Sequence, residues 1–212
     1  DFFLKDQEND ITGPMKDLKL EPEDISRMGS TLNGVGAARV IEMQKAHMEA
    51  DRLHIPMLIM ADLVHGFKTS FPIPHAMSCS FNPAVVEEAA SLAAKEATAG
   101  GVQVTFAPMA DLVRDPRWGR VMESPGEDPY LNARMTEAAV RGFQGDDPKQ
   151  EGKMAACVKH FAAYGASEAG RDYNTVDISE GMLREFYLSS YQAAVKAGVK
   201  MVMSSFNVFE RV

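Results

Sequence analysis

The sequence predicts an α/β fold, a (β/α) barrel of the TIM type, of which the chain carries the N-terminal part, about five of the eight βα units. Three observations predict it. Short continuous apolar runs alternate with amphipathic helical stretches. Each run closes on polar or charged residues. The loops after the first three clear runs are about 17–20 residues long, whereas the links from helix back to strand are mostly a few residues. Long loops at one end of every strand are what a barrel shows on its C-terminal face.

Taken in order, residues 1–28 are polar, with Gly13-Pro14 and Glu21-Pro22 as breakers, and read as a lead-in to a barrel domain over 29–212. A first unit is expected in the Gly29 to Asn33 region. The spacing of Val40, Met43, Ala46, Ala50 and Leu53 predicts a helix from Gly36 to Leu53, which Ile55-Pro56 ends. Met57 to Ala61 is an apolar run of the kind buried on both faces of a parallel sheet, closed by Asp62. Asn82-Pro83 starts the next helix, with asparagine as cap and proline in the first turn, and Gly100-Gly101 stops it. Val102 to Ala110 is the following strand, closed by Asp111. Asp128-Pro129 repeats the start signal for a helix to about Gly142. Met154 to Phe161 is a strand that ends in Lys159 and His160. Ser179 caps a helix to Gly198, and Lys200 to Phe206 is the last strand.

An open doubly wound sheet would also carry its site at strand ends. No Gly-x-Gly-x-x-Gly turn follows any run, however. Gly34-Val35-Gly36 is the nearest approach, and it lacks the third glycine and a preceding apolar run. A full barrel takes eight units and about 250 residues. This stretch is therefore expected to be part of a larger protein, or to be completed by a partner chain.

Composition excludes several classes. The 45% apolar and 25% charged residues are those of an ordinary globular domain. A net charge of −8 with no Lys/Arg cluster argues against nucleic-acid and membrane-surface partners. No apolar run approaches the roughly 20 residues of a membrane span. The start, Asp1-Phe2-Phe3-Leu4-Lys5, lacks the layout of a signal peptide. Cys79 and Cys157 belong to no Cys-x-x-Cys pair, so a cytoplasmic setting is favoured, or a periplasmic one had a signal peptide been removed. The fourteen methionines read as adaptable core filling. The five histidines, His47, His54, His65, His75 and His160, form no ligand spacing, so no metal and no cofactor are expected. Neither a Gly-x-Ser-x-Gly elbow nor a phosphate loop is present. A homo-oligomer is compatible with the sequence.

The segment from Leu112 to Pro129 packs three arginines, four carboxylates and the only tryptophan, Trp118, between a strand and a helix. A loop this long in a compact domain binds or catalyses something. Arg120, between a glycine and an apolar pair, is the best candidate to reach inward. Arg114, followed by Asp115-Pro116, reads as a turn with a local ion pair, and Arg117 as a surface residue. Glu127-Asp128 reads as the acidic start of a helix. Pairing Glu123 with Glu127 as acid and base rests on nothing in their spacing. At the end of the first clear strand, Asp62 either caps a turn or takes hydrogen bonds from a ligand. Lys159-His160 is more informative, because adjacent strand residues point to opposite faces and a lysine buried without a partner is costly. Both are therefore expected at the strand's end, facing the mouth, with a strained or cis peptide as one way to turn them there. Many donors and few apolar walls suit a polyhydroxylated ligand.

Four motifs, Met-Ala-Asp-Leu-Val-His-Gly (60–66), Arg-Asp-Pro-Arg-Trp-Gly-Arg-Val-Met-Glu-Ser-Pro-Gly-Glu-Asp-Pro (114–129), Lys-His-Phe-Ala-Ala-Tyr-Gly (159–165) and Val-Met-Ser-Ser-Phe-Asn (202–207), resemble the N-terminal domain of family-3 glycoside hydrolases. They look most like bacterial β-glucosidases, in order and spacing, over nearly the whole chain. The resemblance implies a barrel that binds a glucosyl unit at its C-terminal mouth, and retaining hydrolysis of terminal β-D-glucosyl residues from oligosaccharides or glucosides. By motif, Asp62, Arg120, Lys159 and His160 would hydrogen-bond the sugar where cleavage occurs, and Met203 would border it. No role is transferred to Arg171 or Tyr173. In such enzymes the nucleophilic aspartate lies in a Ser-Asp-Trp-like strand end a few tens of residues after the Ser-x-x-Asn segment, and the general acid comes from a second domain. Both are expected outside residues 1–212, so this stretch alone is expected to be inactive. After Asn207, Val-Phe-Glu-Arg-Val lacks the glycine that such enzymes commonly carry. Two alternatives stand beside this reading: a β-xylosidase of the same family, and a non-catalytic sugar-binding remnant. A β-N-acetylglucosaminidase would carry Gly-His-Gly where Ala162-Ala163-Tyr164-Gly165 stands.

Overall fold

The computed structural model of this chain describes residues 27–209. Five strands, β1 (Ser30–Leu32), β2 (Leu58–Ala61), β3 (Val104–Thr105), β4 (Ala155–Phe161) and β5 (Met201–Ser204), form one parallel sheet in sequential order. Sequential parallel order is the progression of a (β/α) barrel. A doubly wound sheet reverses its order partway across. The expected first unit near Gly29 to Asn33 is present as β1. The lead-in assigned to residues 1–28 lies outside the described residues, apart from its last two.

Helices on one face connect the strands: α1 (Ala37–Ala50), α2 (Pro74–Ser78), α3 (Pro83–Ala99), α4 (Pro129–Gln144), α5 (Glu180–Met182) and α6 (Ser189–Lys196). The start signals act as their chemistry dictates. Asn82 Oδ1 accepts from the Ala84 N–H at 3.1 Å, Asp128 Oδ1 from Leu131 at 2.6 Å and Ser179 Oγ from Met182 at 3.2 Å. The core lies between α3, α4 and the sheet. The alanine face of α3 (Ala89, Ala90, Ala93, Ala94 and Ala97) packs with Met135, Ala138, Ala139 and Phe143 of α4. Small side chains let these helices approach closely. A Cβ at Gly142 would lie 2.3 Å from the Glu87 carbonyl oxygen.

Three expected elements differ. The strand expected over Val102 to Ala110 has a ladder of only Val104–Thr105. Pro108 has no N–H to give a ladder, although the carbonyls of Ala107 and Pro108 still accept from Cys157 and Lys159. The single helix expected from Ser179 to Gly198 is interrupted by a π turn over Leu183–Tyr187, where the Leu188 N–H reaches the Leu183 carbonyl. That bond spans five residues rather than four. The helix expected to reach Leu53 ends at Ala50, and Leu53 is exposed. The short helix α2, inside the long loop after β2, carried no periodic signal.

Candidate active site

Because every strand runs the same way, their C-terminal ends lie on one side of the sheet, and the polar residues that close the apolar runs gather there. Asp62 directly follows β2. Asp111 follows the segment that begins with β3, and Lys159 and His160 stand near the end of β4. The loop from Leu112 to Pro129 brings Arg120 to the same side.

Lys159 Nζ donates to both oxygens of Asp62, at 2.9 and 2.8 Å. The lysine side chain is 2% accessible and that of Asp62 45%. A buried ammonium is tolerable here because a carboxylate accepts from it. Asp62 thus serves the lysine while keeping an open face. The peptide between Lys159 and His160 is cis, as is that between Phe161 and Ala162.

Arg120 reaches inward as the sequence led us to expect. Its Nε and Nη2 donate to Glu123 Oε1 at 2.6 Å and Oε2 at 2.8 Å, a bidentate pair. Its Nη1 lies 3.2 Å from His160 Nε2. Lys159 Nζ is 3.8 Å from Glu123 Oε2. Asp62, Lys159, Glu123, Arg120 and His160 therefore form one continuous string of contacts. Burial works to raise the Glu123 carboxyl, but the hydrogen bonds and charge of Arg120, with Lys159 and His160 nearby, hold it below the usual glutamate range. Hydrogen bonding to Glu123 raises the Arg120 guanidinium in turn, against the opposing effect of burial.

His160 is held from behind. Asp111 Oδ2 lies 2.8 Å from His160 Nδ1 and accepts the His160 backbone N–H at 3.1 Å. The Tyr191 hydroxyl lies 2.8 Å from Asp111 Oδ1 and 2.6 Å from the His160 carbonyl oxygen. Burial first, then Asp111, pushes the Tyr191 phenol well above its ordinary range. A second anchor sits beside it. Asp172 Oδ1 accepts from Trp118 Nε1 at 3.0 Å and from the Tyr164 hydroxyl. Tyr164 packs edge-on to His160 and to Phe206, at 5.1 and 5.5 Å between ring centroids.

The structure brings Asp62, Arg120, Lys159 and His160 together and places Met203 in register with Lys159. Other readings of the loop need correction. The arginine paired with Asp115 is Arg117, not Arg114. The Asp115-Pro116 turn returns residue 117 onto the carboxylate, so its backbone N–H donates to Asp115 Oδ1 at 3.0 Å and Nη2 reaches Oδ2 at 2.6 Å. Arg117 draws the Asp115 carboxyl down to about 2. Arg114 lies over the Phe186 ring instead. His65 binds the Phe71 carbonyl within its own loop. Sequence reasoning missed Glu123, Asp111, Asp172 and Tyr191 as parts of the site. For Glu123 a signal existed, its spacing of three residues from Arg120. Asp172 and Tyr191 carried none. Among the described residues no three His, Cys, Asp or Glu side chains are arranged to hold a metal ion, and no helix is long and apolar enough to cross a membrane.

An incomplete parallel (β/α) barrel with a charged, donor-rich mouth has the architecture of a barrel enzyme. The chain belongs to glycoside hydrolase family 3: residues 24–212 match the model described as the glycosyl hydrolase family 3 N terminal domain. It is 42% identical over 181 residues to a periplasmic β-glucosidase of Salmonella typhimurium, covering 85% of this chain and 24% of that protein. It is 36% identical over 187 residues to a β-xylosidase of Formosa agariphila, covering 82% and 26%. A crystal structure of a variant β-glucosidase from Listeria innocua in complex with laminaribiose superposes with a TM-score of 0.90 at 52% identity, covering 94% of this chain and 28% of that one. The arc of five strands is thus part of a TIM-type barrel. The chain spans about a quarter of the length of the curated relatives it matches.

Proposed function

We propose that this chain supplies the glucose-binding part of a retaining β-glucosidase, which removes terminal non-reducing β-D-glucosyl residues from oligosaccharides or glucosides. The observation that carries the reading is the convergence of Asp62, Arg120, Lys159 and His160 at one barrel mouth, in a single string of contacts. Asp62 offers acceptor oxygens on an open face, Lys159 and Arg120 offer donors, and His160 offers a ring edge. Vicinal sugar hydroxyls need such alternation, because each both donates and accepts.

The acids of this mouth suit binding rather than bond cleavage. Asp62 is tied to Lys159, Glu123 to Arg120 and Asp111 to His160 and Tyr191. Retaining hydrolysis needs a carboxylate nucleophile and a carboxylic acid about 5 Å apart. We assign neither role to a residue within 1–212, and place that pair elsewhere in the enzyme. Domain limits follow the same proposal, a barrel domain from residue 29 onward preceded by a lead-in. So does a cytoplasmic location, against which stands the periplasmic name of the Salmonella relative. Fractionation alongside a periplasmic marker separates the two.

In the intact enzyme, Asp62→Ala is expected to lower kcat/KM on an aryl β-glucoside by roughly two orders of magnitude or more, because a site built for hydroxyls penalises a missing partner severely. Inhibition by glucose weakens in parallel. Glucose inhibition unchanged in that variant overturns the assignment. The β-xylosidase reading is favoured by the Formosa relative. It predicts faster turnover of aryl β-xylosides than of aryl β-glucosides by the unmodified enzyme, whereas a glucose site predicts the reverse.

A further inference from the structure

We infer that Asp111 is a positioning residue for this reaction, which fixes the tautomer and orientation of His160. The inference rests on the reading of His160 as a sugar contact. A guanidinium can only donate. Arg120 Nη1 lies 3.2 Å from His160 Nε2, so Nε2 is the ring nitrogen that carries the lone pair. The ring proton is then on Nδ1 and is donated to Asp111 Oδ2 at 2.8 Å. The same oxygen takes the backbone N–H of His160 at 3.1 Å. One carboxylate oxygen thus holds both the ring and the peptide of one residue, and sets the angle between them.

The carboxylate is itself immobilised. Asp111 is 1% exposed. The hydroxyl of Tyr191, 3% exposed and carried by α6, lies 2.8 Å from Asp111 Oδ1 and 2.6 Å from the His160 carbonyl oxygen and shares its one proton between these two acceptors. The Asp111 backbone carbonyl accepts from Ser124 Oγ of the Arg120 loop at 2.6 Å and from Asn132 Nδ2 of α4 at 3.3 Å. Asp111 therefore ties together four parts of the molecule, namely β4, α4, α6 and the loop that delivers Arg120. Without it, the ring is free to move its proton to Nε2 or to turn. Two donors would then meet where Arg120 and His160 face each other, and both sugar contacts would lose their aim.

The test is a mutant cycle in the intact enzyme, reading kcat/KM on an aryl β-glucoside and inhibition by glucose well below each variant's Tm. Asp111→Ala is expected to cost roughly a hundredfold, the loss that misplacement of a reacting or binding group by about 1 Å produces. Asp111→Asn is expected to stay within a few-fold of the unmodified enzyme. Its amide oxygen accepts both His160 protons while its NH2 donates to Tyr191, whose hydroxyl still serves the His160 carbonyl. The deciding comparison is with His160→Ala. If Asp111 acts through His160, the double variant is no slower than His160→Ala alone, because coupled residues are not additive. Losses that multiply overturn the inference. Should Asp111→Ala fail to fold, Tyr191→Phe replaces it, with a loss of several-fold expected alone and none on the His160→Ala background. A multiplied loss there contradicts the inference equally. Absence of β-glucoside turnover by the unmodified enzyme would instead sink the functional reading on which the inference rests.

Discussion

At the scale of single residues, the mouth is a set of charges that neutralise one another while leaving some faces open. Lys159 illustrates the balance. An isolated buried ammonium is unfavourable by several kcal/mol, yet two short bonds to Asp62 and a nearby Glu123 accommodate it at 2% exposure. Glu123 has a pH signature. Its carboxyl titrates below the usual glutamate range in the folded chain, so the native state favours its charged form. That contribution to stability is present above the unfolded value of about 4.3, and is lost as pH falls through the lowered native value. Glu123→Gln is therefore expected to flatten the fall of Tm between pH 5 and more acidic conditions, measured by calorimetry. An unchanged slope would mean that Arg120 does not hold the charged form. Asp62, Arg120, Lys159 and His160 were legible because each closes an apolar run or stands in a motif. Tyr191 was not. It sits on a helix whose sequence reads as ordinary amphipathic surface, and only the three-dimensional path of α6 brings its hydroxyl to Asp111.

At the scale of elements, helix starts were legible and interruptions were not. Asn82, Asp128 and Ser179 cap because side-chain oxygen chemistry is local. The π turn over Leu183–Tyr187 and the two-residue ladder of β3 depend on what lies across the chain, which local periodicity does not encode. The contact between α3 and α4 gives a test of packing. Alanine is a better helix former than glycine by about 1 kcal/mol. At Gly142, though, the new methyl would sit 2.3 Å from the Glu87 carbonyl oxygen and 2.7 Å from the Ala90 Cβ. Overpacking of this kind costs about 1–3 kcal/mol, so the clash outweighs the propensity. Gly142→Ala is expected to lower Tm. Gly181→Ala is the control, since its Cβ would meet only Ser179 Oγ at 3.8 Å, and Tm should hold or rise. Equal effects at the two positions would refute the close-approach account of the α3–α4 interface.

At the scale of the whole molecule, five sequential parallel strands make an arc with two edges. Beside β5 lies an apolar groove lined by Val158, Phe161, Leu188, Tyr191, Val195 and Val202. Val202 and Phe161 are about half exposed there, at 52% and 49%. Exposed apolar grooves of this kind drive association. Residues 1–212 produced alone are expected to self-associate in sedimentation experiments, and Val202→Lys to reduce it. A monodisperse monomer with no change on substitution would show the edge to be harmless. The sequence made the barrel legible through loop lengths, since long loops follow β2, β3 and β4, although only residues 33–36 separate β1 from α1. It did not reveal that Glu123 and Asp111 hold Arg120 and His160, because contacts such as Asp111 to Tyr191 join positions 80 residues apart. The central claim is that Asp62, Arg120, Lys159 and His160 form a glucose subsite. A crystal structure of the intact enzyme soaked in glucose tests it most directly. One glucose is expected at this mouth, with its hydroxyls about 2.6–3.2 Å from polar atoms of Asp62, Arg120 and Lys159 and its ring against the edge of His160. Glucose bound elsewhere, with the Lys159–Asp62 and Arg120–Glu123 pairs untouched by any sugar, would contradict it.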